Sequence, residues 1–562
     1  MKLLVRSGLG RLQRKEAKIT RMKRSITLLA ILTLLTLFVS APSKACTNLL
    51  VTKGATSDGS TLITYAADSH TLYGYLSYIP AGKHLPGTTI NIFDWDSGKY
   101  LGKIPQALET YRVVGNINEY QVAIGETTFG GREELVDPEG VVDYGALIYV
   151  ALQRSKTARE AVQTMGRLAE EYGYASSGES FSISDPKEVW IMELIGKGPK
   201  GKGAVWVALR IPDGYVCAHA NQSRITTFPL NDPLNCLYSK EVISFAKEKG
   251  FFKGEDKDFS FQAAYAPLDF GALRFCEARV WSLFRRISPS LKLPAEFIKG
   301  DKNATPLPLW IKPDKKLSAR DAMELMRDHY EGTDLDMTKD VGAGPFALPY
   351  RWRPMTWKYN GKDYFHERAI STQQTGFSFV AQSRGWLPDP IGGILWFGVD
   401  DTYSTVYVPI YCSIDKVPDP FSDKSGSFNH FSWNSAFWVF NAVSNLAYTR
   451  YSDMIPEVQT LQRELEGKFV SEVPEIDKMA LSLYKNAPQA ARDYLTEYSC
   501  RQSRITLEKW KSLWETLFVK YMDGNVRDEK GNVNHPLYPE SWYKTIVDST
   551  GDRYKALEEQ KH

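Results

Sequence analysis

Alternating and helically spaced apolar positions divide the chain into recognisable segments. Cys46–Thr52 is rich in strand formers, Ala55–Ser60 is a turn cluster around Asp58-Gly59, and Thr61–Tyr65 reads as a returning strand. A hairpin is therefore predicted from residue 46 onward. Tyr111–Val114 and Gln121–Thr128 read as two more strands around a Gly115–Asn118 turn, and Gly130-Gly131 closes that unit. Helices are predicted over Asp143–Arg154 and Thr157–Tyr172. In the second, Ala158, Ala161, Val162, Met165, Leu168, Ala169 and Tyr172 recur at helical spacing behind a Thr157/Glu160 capping box. Ser180–Ser184, Val189–Leu194, Ala204–Leu209 and Tyr215–His219 predict a meander of four short strands, cut by turns at Asp185-Pro186, Lys197-Gly198-Pro199 and Pro212-Asp213-Gly214. Trp433–Met522 is amphipathic and poor in glycine, hence helical. The pattern as a whole is α+β, with antiparallel sheets and a helix pair over 46–220.

The 562 residues are 43% hydrophobic and 24% charged, the composition of a globular protein of one large or a few modest domains. Charge changes the picture at the amino end. The chain carries +3 overall, but residues 1–45 hold ten basic side chains and one acid, Glu16; without them, 59 basic residues face 65 acidic ones, a net of −6. Ser25–Ser43 is uncharged and apolar over Ile26–Val39, follows a basic run and precedes Ser43-Lys44-Ala45. This is the plan of a secretory signal ending at Ala45, with an uncleaved anchor as the other reading. Met22 is the expected start, since 45 residues exceed the usual signal length of about 15–30. Export to the periplasm or medium follows, with no stable membrane association after cleavage. The acidic remainder gives no case for nucleic acid.

Cleavage after Ala45 would make Cys46 the first residue. Such a cysteine has a thiol and a free α-amine, whose ordinary pKa near 8 suits it to accept the thiol proton. The lesser readings of Cys46 are a lipid-modified anchor and a small buried hydrophobe. Against the lipid, Lys44 sits beside the site and no flexible tether follows; the hairpin starts at once. That hairpin would bring Tyr65 and Asp68 to Cys46. Tyr65 is otherwise a packing residue, Asp68 a solvated loop carboxylate, and Asn221 a turn residue. Glu179 and Glu193 satisfy neighbouring groups. The 8 histidines are scattered, with no HExxH, CxxC, GxSxG or Walker spacing, so no metal or cofactor is implied. The five cysteines after Cys46 cannot all pair, and their spacing assigns no disulfide.

Cys46–Val51 followed by Asp58-Gly59-Ser60 resembles the opening of the N-terminal-nucleophile (Ntn) dipeptidases related to bacterial dipeptidase A. The likeness continues through Gly125–Gly131, Leu152–Ala161, Gly178–Phe181, Trp190–Glu193, Ala220–Ile225, Gly342–Phe346 and Ser371–Phe377. It implies an αββα sandwich of two antiparallel sheets and cysteine-dependent cleavage of dipeptides or short peptides. The likeness covers most of 46–415, the expected catalytic region; the mainly helical region at 416–562 rests on its residue pattern and adds little to the likeness. The broader superfamily, which includes bile-salt hydrolases and penicillin acylases, implies a second possibility, an amidase acting on acylated small molecules. There an Arg and, three residues later, an Asp line the nucleophile. Asp68 fits the Asp, while Tyr65 stands at the Arg position. Asn221 matches the asparagine of the oxyanion hole, and Arg279, in Ala278-Arg279-Val280-Trp281, matches an arginine near the site. The expected catalytic set is Cys46, Asn221 and Asp68, with Tyr65 and Arg279 binding substrate.

Overall fold

The predicted hairpin forms and becomes the middle of a sheet. A computed structural model describes residues 46–352 and 355–556; the predicted signal at 1–45 lies outside the described residues. The principal strands are β1 (Asn48–Val51), β2 (Thr61–Asp68), β3 (Ala123–Gly130), β4 (Gly178–Ser184), β5 (Val189–Gly196), β6 (Ala204–Arg210), β7 (Val216–His219), β8 (Thr375–Ser383), β9 (Gly393–Val399) and β10 (Val408–Tyr411). The principal helices are α1 (Tyr144–Leu152), α2 (Ala158–Tyr172), α3 (Ala278–Ile287), α4 (Ala436–Tyr448), α5 (Tyr451–Tyr484) and α6 (Pro488–Tyr521). One antiparallel sheet runs in the order β7-β1-β2-β8-β9-β10, with Trp310–Ile311 beyond β7. The other runs β6-β5-β4-β3, extended by Cys236–Tyr238 at one edge and by short strands at Ile117–Asn118, Val113–Val114 and Tyr78–Ile79 at the other.

Side-chain alternation explains the layering. Along β5, Val189, Ile191 and Ile195 join the core shared with the β1–β2 sheet, whereas Trp190, Met192 and Leu194 face the α1–α2 pair. Each sheet face is thus covered, by the other sheet or by helices. The helices α4, α5 and α6 bring Val443, Val458, Phe469, Leu495 and Trp510 into the same core as Leu395 and Ile410 of the first sheet. Burial of each such side chain is worth about 1.5–3 kcal/mol. Gly125 sets the spacing between sheets at one point: a Cβ there would lie 2.8 Å from the Asn48 side chain and 3.2 Å from the Tyr65 Cβ. Among the described residues no helix is long and apolar enough to cross a membrane.

Three local expectations are corrected. Tyr215–His219 does not complete the meander: β7 crosses to the first sheet and pairs with β1, His219 opposite Asn48. Pairing there satisfies the β1 edge that the β1–β2 hairpin leaves open. At α2, Thr157 accepts from the Glu160 N–H at 3.2 Å, but the Glu160 carboxylate reaches past Thr157 to the Lys156 N–H at 2.7 Å. The cap is real and the reciprocal box is not. Within the predicted Gly115–Asn118 turn, Ile117–Asn118 forms a short strand against Val113–Val114. A hairpin of Thr89–Phe93 with Tyr100–Pro105, absent from the sequence expectation, presents Trp95 and Asp96 at its tip.

Candidate active site

Antiparallel register fixes where Cys46 sits. Leu50 pairs with Ile63 and Val51 with Leu62, and a bridge between Thr47 and Ala66 carries that register to the residue beside Cys46. Cys46 therefore stands opposite Ala67, with Tyr65 and Asp68 at hand on β2. A cleft of about 510 Å³ opens over this corner, lined by Cys46, Tyr65, Asp68, Glu126, Tyr144, Trp95, Asp96 and Phe377. Its far wall is pinned by α1: the Asp143 carboxylate caps the helix at the Ala146 N–H (2.7 Å) and also accepts from the Trp95 N–H (2.6 Å). The Tyr144 hydroxyl donates to Asp96 at 3.0 Å.

The thiol lies among acidic and phenolic groups. Cys46 Sγ is 3.8 Å from the Tyr65 hydroxyl and 3.7 Å from Glu126 Oε1, and that hydroxyl donates to the same carboxylate oxygen. Burial, then the charges of Glu126 and Asp68, push the thiol pKa well above its ordinary value of 9.0. Burial likewise holds Tyr65 in the phenol form. Asp68 is fully engaged. Thr375 Oγ1 donates to Oδ1 at 2.6 Å, and the Arg368 guanidinium pairs with Oδ2. Burial raises its pKa, against the lowering effect of Arg368 and Thr375.

Asn221 and Arg279 are not among the residues lining this cleft; Arg279 meets Cys46 at its backbone, and Asn221 is tied to it through Arg279. Arg279, on α3 and buried, donates to Cys46 O at 2.5 Å, Thr47 Oγ1 at 2.8 Å, Ala220 O at 3.2 Å and Asn221 Oδ1 at 2.9 Å. Asn221 follows β7 with φ of 58°, a left-handed conformation that Asn tolerates better than most residues. It is thus a turn residue as well, and its Nδ2 donates to Thr128 O at 2.8 Å. An amide nitrogen has a second hydrogen to offer. The loop after it is clamped by Glu193, which accepts from Ser223 Oγ and from the Arg224 and Ile225 N–H groups at 2.6 and 3.2 Å. Glu179 accepts from Thr128 Oγ1 at 3.1 Å.

The expected site from sequence includes neither Glu126 nor Arg368, although Glu126 falls within the Gly125–Gly131 run. Their contacts join residues 80 and 300 positions apart. Trp95 and Asp96 lie in a segment with no clear period. The usable signal was an acidic residue in an otherwise small and apolar strand, Ala123–Gly130.

Two antiparallel sheets with helices packed on them, and a cleft that holds a buried thiol among carboxylates, define an α+β protein. The chain belongs to peptidase family C69, whose model matches residues 45–464. It is a hydrolase of peptide bonds. It is similar to a probable dipeptidase B of Streptococcus pyogenes serotype M1, 24% identical over 510 residues that cover 88% of this chain and 96% of the relative. It is also similar to a probable dipeptidase of Latilactobacillus sakei, 25% identical over 72% of this chain and 82% of the relative. A probable dipeptidase of Salmonella dublin is 27% identical over 65% and 81%, respectively.

Proposed function

We propose that this protein is an exported Ntn-type dipeptidase in which Cys46, freed by cleavage after Ala45, is the nucleophile. The observation that carries the reading is the place of Cys46: its sulfur faces the cleft while its own carbonyl is held, through Arg279, to Asn221. The names of the relatives and the layering of helices on two facing sheets support the substrate class and the Ntn αββα fold. Cys46 is 5% exposed, which counts against a lipid anchor on its sulfur.

With the Ala45–Cys46 bond intact, burial and the charges of Glu126 and Asp68 hold the thiol protonated, so attack is coupled to proton removal. The α-amine of a processed Cys46 takes that proton as Sγ bonds to the scissile carbonyl carbon. The second Nδ2 hydrogen of Asn221, with a backbone N–H, would stabilise the oxyanion. Collapse of the adduct breaks the C–N bond, and the leaving amine takes the proton from the Cys46 ammonium. Water, deprotonated by the same amine, then cleaves the thioester and returns the thiol. Asp68, Tyr65 and Arg279 shape and hold this arrangement.

Mass spectrometry of the mature protein, with iodoacetamide labelling and a Cys46→Ala variant, tests the reading. An unmodified Cys46 at the amino terminus is expected, labelled in step with loss of dipeptide turnover. Full turnover by Cys46→Ala, or a diacylglyceryl group on the sulfur, would sink it.

A further inference from the structure

One carboxylate in the cleft is left without a counter-charge. Glu126 is 2% exposed; its Oε1 accepts from the Tyr65 hydroxyl, and its Oε2 has no hydrogen-bond partner among the described residues. Native proteins seldom leave a buried carboxylate oxygen unmet, because the group loses its hydration and gains nothing. The other acids of the cleft are occupied, Asp68 by Arg368 and Thr375 and Asp96 by Tyr144. Among the described residues no lysine or arginine forms an ion pair with Glu126.

We infer that Glu126 is the residue that receives the free α-ammonium of a dipeptide's first residue. The inference rests on Cys46 as the nucleophile and deepens that reading. Backbone dimensions place an α-nitrogen about 2.5 Å from the carbonyl carbon of its own residue. A carbonyl carbon in attacking contact with Sγ, about 3–3.5 Å away, allows that nitrogen to come within hydrogen-bond reach of Glu126 Oε1, 3.7 Å from the same sulfur, whose carboxylate keeps acceptor capacity beyond the Tyr65 hydrogen bond. An N-acylated substrate brings a neutral N–H and extra bulk to the same place. The electrostatics agree, because Glu126 adds to burial in holding the thiol protonated. A bound ammonium cancels that charge just where the thiolate must form. Tyr65 makes the arrangement possible. Arginine at this position would neutralise Glu126 from within the protein, whereas a phenol donates one neutral hydrogen bond and leaves the charge for a ligand.

The test compares a dipeptide of small neutral residues with its des-amino and N-acetyl analogues, on the mature enzyme and on Glu126→Gln. The wild type is expected to favour the free amine in kcat/KM on the order of 10–100-fold over the des-amino analogue, the range for a charge-assisted hydrogen bond. Glu126→Gln should lower turnover of the free amine by that factor and leave the des-amino analogue within about threefold. Equal rates on both substrates in the wild type overturn the inference. So does an equal loss on both in Glu126→Gln, which is what a carboxylate serving Cys46 itself would give. If Glu126→Gln does not fold, Glu126→Asp, which withdraws the carboxylate by one methylene, is read by the same ratio. A fall supports the site and an unchanged ratio overturns it. A Cys46→Ala variant that still turns over with the ratio intact would overturn the nucleophile and leave the ammonium site standing.

Discussion

Arg279→Lys isolates what holds Asn221 to Cys46. The guanidinium makes five donations: Nε to Phe275 O at 2.7 Å, and the two terminal nitrogens to Cys46 O, Thr47 Oγ1, Ala220 O and Asn221 Oδ1. Lysine keeps the charge but offers three hydrogens from one nitrogen, so it cannot span both the Phe275 carbonyl and the Asn221 amide. At least two buried acceptors lose their donor. At about 1–3 kcal/mol for each unsatisfied group, the stability loss is about 2–6 kcal/mol, read as a lower midpoint in urea at unchanged slope. With Oδ1 unanchored, the Asn221 amide is free to rotate, and part of the oxyanion stabilisation proposed for it goes. A fully lost donor is worth about 10²–10³ in kcat, so a 10–100-fold fall with KM little changed is expected. The control is the double variant. In an Asn221→Gly background, Arg279→Lys should reduce kcat hardly further, because both act through one amide. A kcat within twofold of wild type, or fully multiplicative losses in the double variant, would refute the link.

The other predictions are shorter. Asn221→Ala should cost about 10²–10³ in kcat; Asn221→Gly should cost the same while being the more stable of the two, since Gly relieves the φ of 58°, and steady-state kinetics with thermal melts separates these effects. Glu193, buried, is pushed up to about 7 from an ordinary 4.5, so the folded state holds its proton more tightly and this stability is lost as pH rises from about 4.5 through 7. Glu193→Gln removes that loss, and urea titrations should show the variant gaining on wild type by up to about 3 kcal/mol over that window; a constant difference would contradict it. His219, held down to about 3 by burial, acts oppositely in both proteins, gaining stability from about pH 3 to 6.5, and cancels in the comparison. Thr157→Ala should cost about 1 kcal/mol by removing the α2 cap, measured by chemical denaturation.

What could be read from the sequence divides by distance along the chain. The Cys46 hairpin, its partner strand with Tyr65 and Asp68, and the α2 helix were legible because a turn, an alternation or a period of 3.6 specifies each within about twenty residues. The crossing of β7 was not, since nothing in Val216–His219 says which sheet it joins; the open edge of β1 decides that. The same holds for the residues around the sulfur. Arg368 reaches Asp68, and Glu126 reaches Tyr65, only because two sheets and a distant loop converge there. Tyr65 shows the consequence most clearly. Along the chain it is merely a residue where an arginine was expected, a departure with no visible compensation. Across the sheets it meets a buried carboxylate whose second oxygen no group among the described residues satisfies. A departure from a family pattern acquires chemical meaning only with its partner in three dimensions, and here the partner turns a missing cation into a place for one.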